Sequence, residues 1–146
     1  MKKKSERLSV VLELALRNEN KALDELNKKR RYRDQQLEQV ESLKHYQGQY
    51  LSDMKQGVSQ VNNAQSLQAN LQFLSQIDAA INQQSGVLDI AENEFQQALK
   101  VWTELHQKRK GMADLIEKYQ KQEVSAADKK EQQQIESDFL ARKYRS

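Results

Sequence analysis

The sequence predicts an all-α protein, a long antiparallel two-helix coiled-coil hairpin with a C-terminal helical extension, forming a single domain over residues 1–146. Three observations carry this. The chain has no Pro and only four Gly, so the residue that removes a backbone donor and clashes with the preceding turn never interrupts a helix. Its composition is charged, rich in Gln, Leu and Ala and poor in aromatics, which suits a thin apolar seam better than a compact core. Apolar residues recur at heptad spacing in two stretches separated by one polar break.

Helix 1 is expected over about 5–55. Its seam runs Leu12, Leu16, Glu19, Leu23, Leu26, Arg30, Arg33, Leu37, Val40, Lys44, Gln47, Leu51, Met54, Val58 and Val61, an apolar stripe with a few polar faults. The hinge is expected over about 56–66. Gly57, Asn62 and Asn63 tolerate left-handed backbone there, and Ser59 and the two Asn compete for backbone hydrogen bonds. Helix 2, about 67–123, has the cleaner seam. One row is Leu67, Leu74, Ile81, Leu88, Phe95, Trp102, Arg109 and Ile116. The other is Asn70, Ile77, Gln84, Ala91, Ala98, Leu105, Met112 and Tyr119. Ser125 can cap a further helical segment, about 125–146, as a new helix or a continuation. Acid-before-base pairs four residues apart, such as Glu13/Arg17, Glu25/Lys29 and Glu117/Lys121, support helix on the solvated faces.

Composition and motifs exclude several function classes. There is no Cys, so disulfides and thiolate metal sites are absent and secretion is not suggested. The N-terminal Met1–Lys4 is basic, but the apolar run after it is short and broken by Ser9 and Glu13, which reads as an amphipathic helix and not as a signal. No stretch reaches the ~20 apolar residues of a membrane span; a soluble, cytoplasmic protein with no direct membrane insertion is expected. His45 and His106 lack metal-ligand spacing with Asp or Glu, and no phosphate-binding glycine loop or nucleophile–base set is present. No enzyme activity and no cofactor are expected. The Lys28–Arg33 basic run is followed by acid and reads as a solvated face, not a nucleic-acid site.

Charge is uneven: residues 1–44 carry a net +4, residues 45–99 a net −4 and residues 100–146 a net +3. In a hairpin closed near residue 60, facing residue numbers sum to about 121. Leu26 then lies level with Phe95, Val40 with Ile81 and Met54 with Leu67, and Arg30 and Arg33 fall near Asp89 and Glu92. Those arginines either pair across the seam or reach out to water. Residues beyond about 120 have no facing segment. The basic end and this extension, with Arg142, Lys143 and Arg145 at its tip, are therefore candidates for a partner. Tyr46, Tyr50 and Phe73 lie off both expected seams and meet at one level of the hairpin. Aromatics grouped on a polar surface point to a protein docking site.

The chain resembles the FliJ family of flagellar type III export in four places. These are the Tyr46-Gln47-x-x-Tyr50 element, then Phe73, Ile77 and Ala80 at helical spacing, then Ala98-Leu99-Lys100-x-Trp102, and the Asp138-Phe139-x-x-Arg142 tail. The resemblance implies an antiparallel coiled coil similar to the central stalk of rotary ATPases. It implies three partners: the hexameric export ATPase, whose pore would take the stalk end; the cytoplasmic linker of the export-gate membrane protein; and free export chaperones. The gate-binding patch it implies is Tyr46, Tyr50, Phe73, Ile77 and Ala80, together with Gln84 where the family often has His. It implies a cytoplasmic location, peripheral to the inner membrane at the flagellar base. An injectisome stalk, a passive homodimeric scaffold and a nucleic-acid-binding coiled coil are the alternatives.

Overall fold

In the computed structural model, which describes residues 3–57 and 64–145, two helices pack against each other as an antiparallel hairpin: α1, Lys4–Lys55, and α2, Ala64–Arg145. Among the described residues there is no strand. Helix α1 closes with Gln56 and Gly57 donating back to Ser52 (3.0 Å) and Met54 (3.2 Å). Gly57 has φ 70°, the left-handed conformation that ends helices where no Cβ stands in the way. The remainder of the expected hinge, residues 58–63, lies outside the described residues, as do Val58 and Val61 of the expected seam. Helix α2 passes through Ser125 without a break. Good helix formers flank this serine and no Pro follows, so its capping preference does not divide the helix, and the extension is a continuation of α2.

The chain divides into two compact units, each containing a stretch of both helices: Met1–Ala22 with Trp102–Ser146, and Leu23–Val101. In the Leu23–Val101 unit the core consists of Leu26, Val40, Ile77, Ile81, Ala91 and Phe95, all buried. In the other unit Ile116 is buried and Leu12, Leu105 and Met112 are half-buried. Both expected rows of α2 face inward, although Leu67, at the start of its row, is exposed.

On α1 only one of the two expected rows holds. Leu12, Glu19, Leu26, Arg33, Val40, Gln47 and Met54 are buried or half-buried. The other expected row, Leu16, Leu23, Arg30, Leu37, Lys44 and Leu51, is exposed. Its place is taken by Leu8, Ala15, Ala22, Lys29, Gln36, Leu43 and Tyr50, one residue earlier in each heptad and all half-buried. The leucines at Leu16, Leu23, Leu37 and Leu51 misdirect the pattern. Both choices alternate three- and four-residue steps, but the inward row is mostly small or polar, while α2 carries bulkier buried side chains such as Ile77, Ile81 and Phe95. The leucines flank the seam and shield its edge.

In the Leu23–Val101 unit, Tyr50 meets Asn70 and Gln36 meets Gln84, close to the expected level. Longer side chains reach about one turn along α2, as when Arg33 pairs with Glu92 at 3.0 Å. In the other unit Ser5 bonds Glu123 through its hydroxyl (2.6 Å) and backbone amide (3.2 Å), about two turns beyond the expected level. Every residue from Val124 to Arg145 is exposed.

The two α1 rows give opposite expectations for two leucines. Leu26 is 2% exposed and Leu23 38%, so Leu26→Ala should cost about 2–4 kcal/mol while Leu23→Ala costs less than about 1 kcal/mol. Urea denaturation of both variants checks this, and equal losses would restore the expected row.

Candidate functional site: an aromatic patch over the seam

The buried row of α1 alternates. Leu12, Leu26, Val40 and Met54 are apolar; Ser5, Glu19, Arg33 and Gln47, one heptad out of step, are polar. Each of the four polar residues has a partner on α2. Ser5 bonds Glu123, Arg33 Nη1 reaches Glu92 at 3.0 Å, and Gln47 Nε2 donates to Asp78. The Arg33 guanidinium also lies 4.4 Å from the Phe95 ring centre. Arg33 is thus the arginine that pairs across the seam, whereas Arg30 is exposed and lies 5.7 Å from the same ring.

Glu19 makes the densest of these layers. Its side chain is only 11% exposed. Arg109 Nε donates to it at 2.6 Å, and His106 Nδ1 lies 2.9 Å away. An ionised carboxylate only accepts, so Nδ1 carries the hydrogen. Trp102 stacks on the His106 ring at 4.8 Å and 15°, while its own Nε1 is buried without an acceptor among the described residues. The Arg109 hydrogen bond, and next the His106 one, hold the Glu19 carboxyl below the usual carboxylate range against the opposing effect of burial. Glu19 and Arg109 each appear in an expected seam, but as separate faults; the signal that joins them is opposite charge on facing rows.

The aromatic patch forms on the Leu23–Val101 unit. Phe73 lies between two tyrosines. The Tyr46 ring meets it edge-on at 6.3 Å and 79°, and the Tyr50 ring lies at 4.8 Å and 57°. Both are favourable aromatic geometries. Tyr46 is 52% exposed. The expectation that all three rings lie off the seam is corrected at Tyr50, which occupies the inward row. Tyr50 is half-buried, and its hydroxyl donates to Asn70 Oδ1 at 2.7 Å. Ile77 is a core residue, 6% exposed, and offers little surface to a partner. Ala80 is half-buried, and Gln84 is half-buried with its amide donating to Gln36. The surface a partner can reach thus consists mainly of Tyr46 and the outer edge of Phe73.

The tip of α2 is different. Ile135, Phe139, Leu140 and Tyr144 are exposed, and the last turn is basic, with Arg142, Lys143 and Arg145. Among the described residues no group of three or more His, Cys, Asp or Glu gathers as a metal site, and no helix is long and apolar enough to cross a membrane.

The family model described as Flagellar FliJ protein matches residues 3–145. The chain belongs to this family. No curated protein and no solved structure matches it significantly. Membership makes the chain a component of flagellar type III protein export. The resemblance rested on scattered elements; the family match spans them and the helices between.

The Glu19 layer gives a pH expectation. A carboxyl whose folded value is depressed adds stability that is present above its unfolded value, about 4.3, and is lost as pH falls through the folded value. At neutral pH, Glu19→Gln should cost about 1–3 kcal/mol, because it weakens the charge-assisted bond to Arg109. Below about pH 4 the gap between variant and parent should narrow. Melting temperatures from pH 7 to pH 3 check this, and a gap that does not depend on pH would remove Glu19 from the acid response.

Proposed function

We propose that this FliJ-family chain is a non-catalytic coupling element: one face binds the cytoplasmic linker of the export-gate membrane protein, and the basic extension engages the hexameric export ATPase. In this reading it also escorts free export chaperones and works in the cytoplasm, peripheral to the inner membrane at the flagellar base. The observation that carries it is the Tyr46–Phe73–Tyr50 cluster. Three rings in mutual contact, with Tyr46 exposed, form an aromatic anchor, the kind of element that concentrates binding energy. Residues 45–99 carry one base against five acids, so docking there depends on apolar contact and little on salt. The extension offers the opposite chemistry, an exposed apolar stripe with three bases in its last turn, suited to an acidic-rimmed groove.

Because Tyr50 is part of the seam, the clean probe of the gate contact is Tyr46. Tyr46→Ala should leave the melting temperature within a few degrees of the parent and weaken binding of the gate linker about tenfold or more, as read by calorimetry and by loss of swimming. Full linker affinity in a folded Tyr46→Ala protein would remove the patch from this role.

Deleting residues 125–146 should leave helicity per residue and the melting transition of the rest unchanged, since this segment buries nothing in the fold. Stimulation of the ATPase ring should fall. Unchanged stimulation would place ATPase engagement elsewhere.

A further inference from the structure

The aromatic patch is one end of a longer stripe. On α1, Tyr32, Gln39 and Tyr46 repeat at heptad spacing, and on α2 so do Phe73, Ala80 and Val87. Heptad repeats on facing antiparallel helices keep one flank, and the Tyr46–Phe73 contact shows that these two rows share theirs. At the far end of the same flank, Tyr32, Val87 and Ile90 line a groove edged by Glu25, Lys28, Lys29 and Glu94. Tyr32 is 44% and Ile90 62% exposed, and nothing in the fold covers them.

The other flank is built differently. Its rows are Arg30, Leu37, Lys44 and Leu51 on α1 and Leu71, Asp78, Ser85 and Glu92 on α2. Asp78 and Glu92 there are engaged by Gln47 and Arg33. Between the levels of Tyr46 and Tyr32 the Tyr–Gln–Tyr and Phe–Ala–Val rows hold no charge, and one heptad further, at the groove, they continue to Glu25 and Glu94. They place bulk at two levels with the small Ala80 between, two heptads or ~21 Å apart along the helix. A furrow with two apolar ends and a shallow, uncharged middle, following a heptad repeat, matches an α-helix lying along it as a third strand.

We infer that the Tyr32–Val87–Ile90 groove is a second docking point on this flank, and that one amphipathic helix of the partner bound at Tyr46 and Phe73 runs along the furrow into it. This rests on the proposed gate-binding role of the aromatic patch and extends it to residues that role does not include. The partner helix carries apolar side chains two heptads apart, and an acidic residue where it passes Lys28. Lys28 is exposed, whereas Lys29 is already paired with Glu94 at 3.2 Å; Lys28 is the cation that a partner acid would meet.

The test uses the full chain and a synthetic peptide of the export-gate cytoplasmic linker. Tyr32→Ala with Ile90→Ala should weaken peptide binding about tenfold, with the melting temperature within a few degrees, because both side chains are largely exposed. The chain has no Cys, so Tyr46→Cys and Ile90→Cys can each be crosslinked to a cysteine walked along the peptide. Maximal crosslinking should fall at peptide positions two heptads apart. Loss of binding in Tyr46→Ala but full affinity in the Tyr32/Ile90 double variant overturns the second docking point and leaves the aromatic patch standing. Full affinity in both overturns the patch and this extension together. If sedimentation shows dimers that Ile90→Glu dissociates, the groove is occupied by a second copy and the inference fails.

Discussion

Four polar residues in one heptad row, Ser5, Glu19, Arg33 and Gln47, govern how α1 and α2 meet. An apolar seam alone tolerates sliding, since leucine against isoleucine is nearly as good one turn up or down. A buried Glu19 is not tolerant: displaced from Arg109 and His106 it leaves a carboxylate in a seam with no donor, at several times the cost of a shifted leucine. Placing such a residue in every second heptad, each with its own α2 partner, sets register at repeated points along the pair. The apolar layers between them, around Leu26 and Val40 for example, supply most of the stability. Polar layers thus trade some stability for a single alignment, as a polar core position does in shorter coiled coils.

That alignment brings the aromatic patch together. Tyr46 and Phe73 come from different helices, and a slip of one turn would separate them by about 5 Å. The polar contacts nearest the patch are Gln47 with Asp78 and Tyr50 with Asn70, one on each side of the rings. Tyr50 therefore serves twice: its ring packs on Phe73, and its hydroxyl helps hold the level at which that packing occurs. Tyr50 is thus tied to the packing of the pair, while Tyr46 is the ring of the cluster that reaches solvent most freely.

The rotation of the α1 seam by one residue per heptad changes which residues line its two edges. With Leu23, Leu37 and Leu51 inside, Tyr50 would have faced solvent. With them outside, the edge along Arg30 and Lys44 is a mixture of leucine and charge, while the row from Tyr32 through Gln39 to Tyr46 on the opposite edge holds no charge. The two sides of the Leu23–Val101 unit are therefore chemically unlike.

Much of this was legible in the sequence. The absence of Pro and the heptad rows of α2 gave two long helices, and Gly57 marked the end of α1. The buried state of Leu26, Val40, Ile81 and Phe95 and the convergence of Tyr46, Tyr50 and Phe73 followed from spacing and a fold-back point. All of these depend on local backbone geometry and period, which a single chain carries within itself. The second row of α1 was not legible, because leucine and its neighbour one position earlier satisfy the same period; only the bulk presented by α2 decides between them. Nor was the pairing of Glu19 with His106 and Arg109, or the Trp102 stack behind it, legible. Those contacts depend on the level at which two distant stretches meet and on the reach of long side chains, and tertiary packing alone determines both.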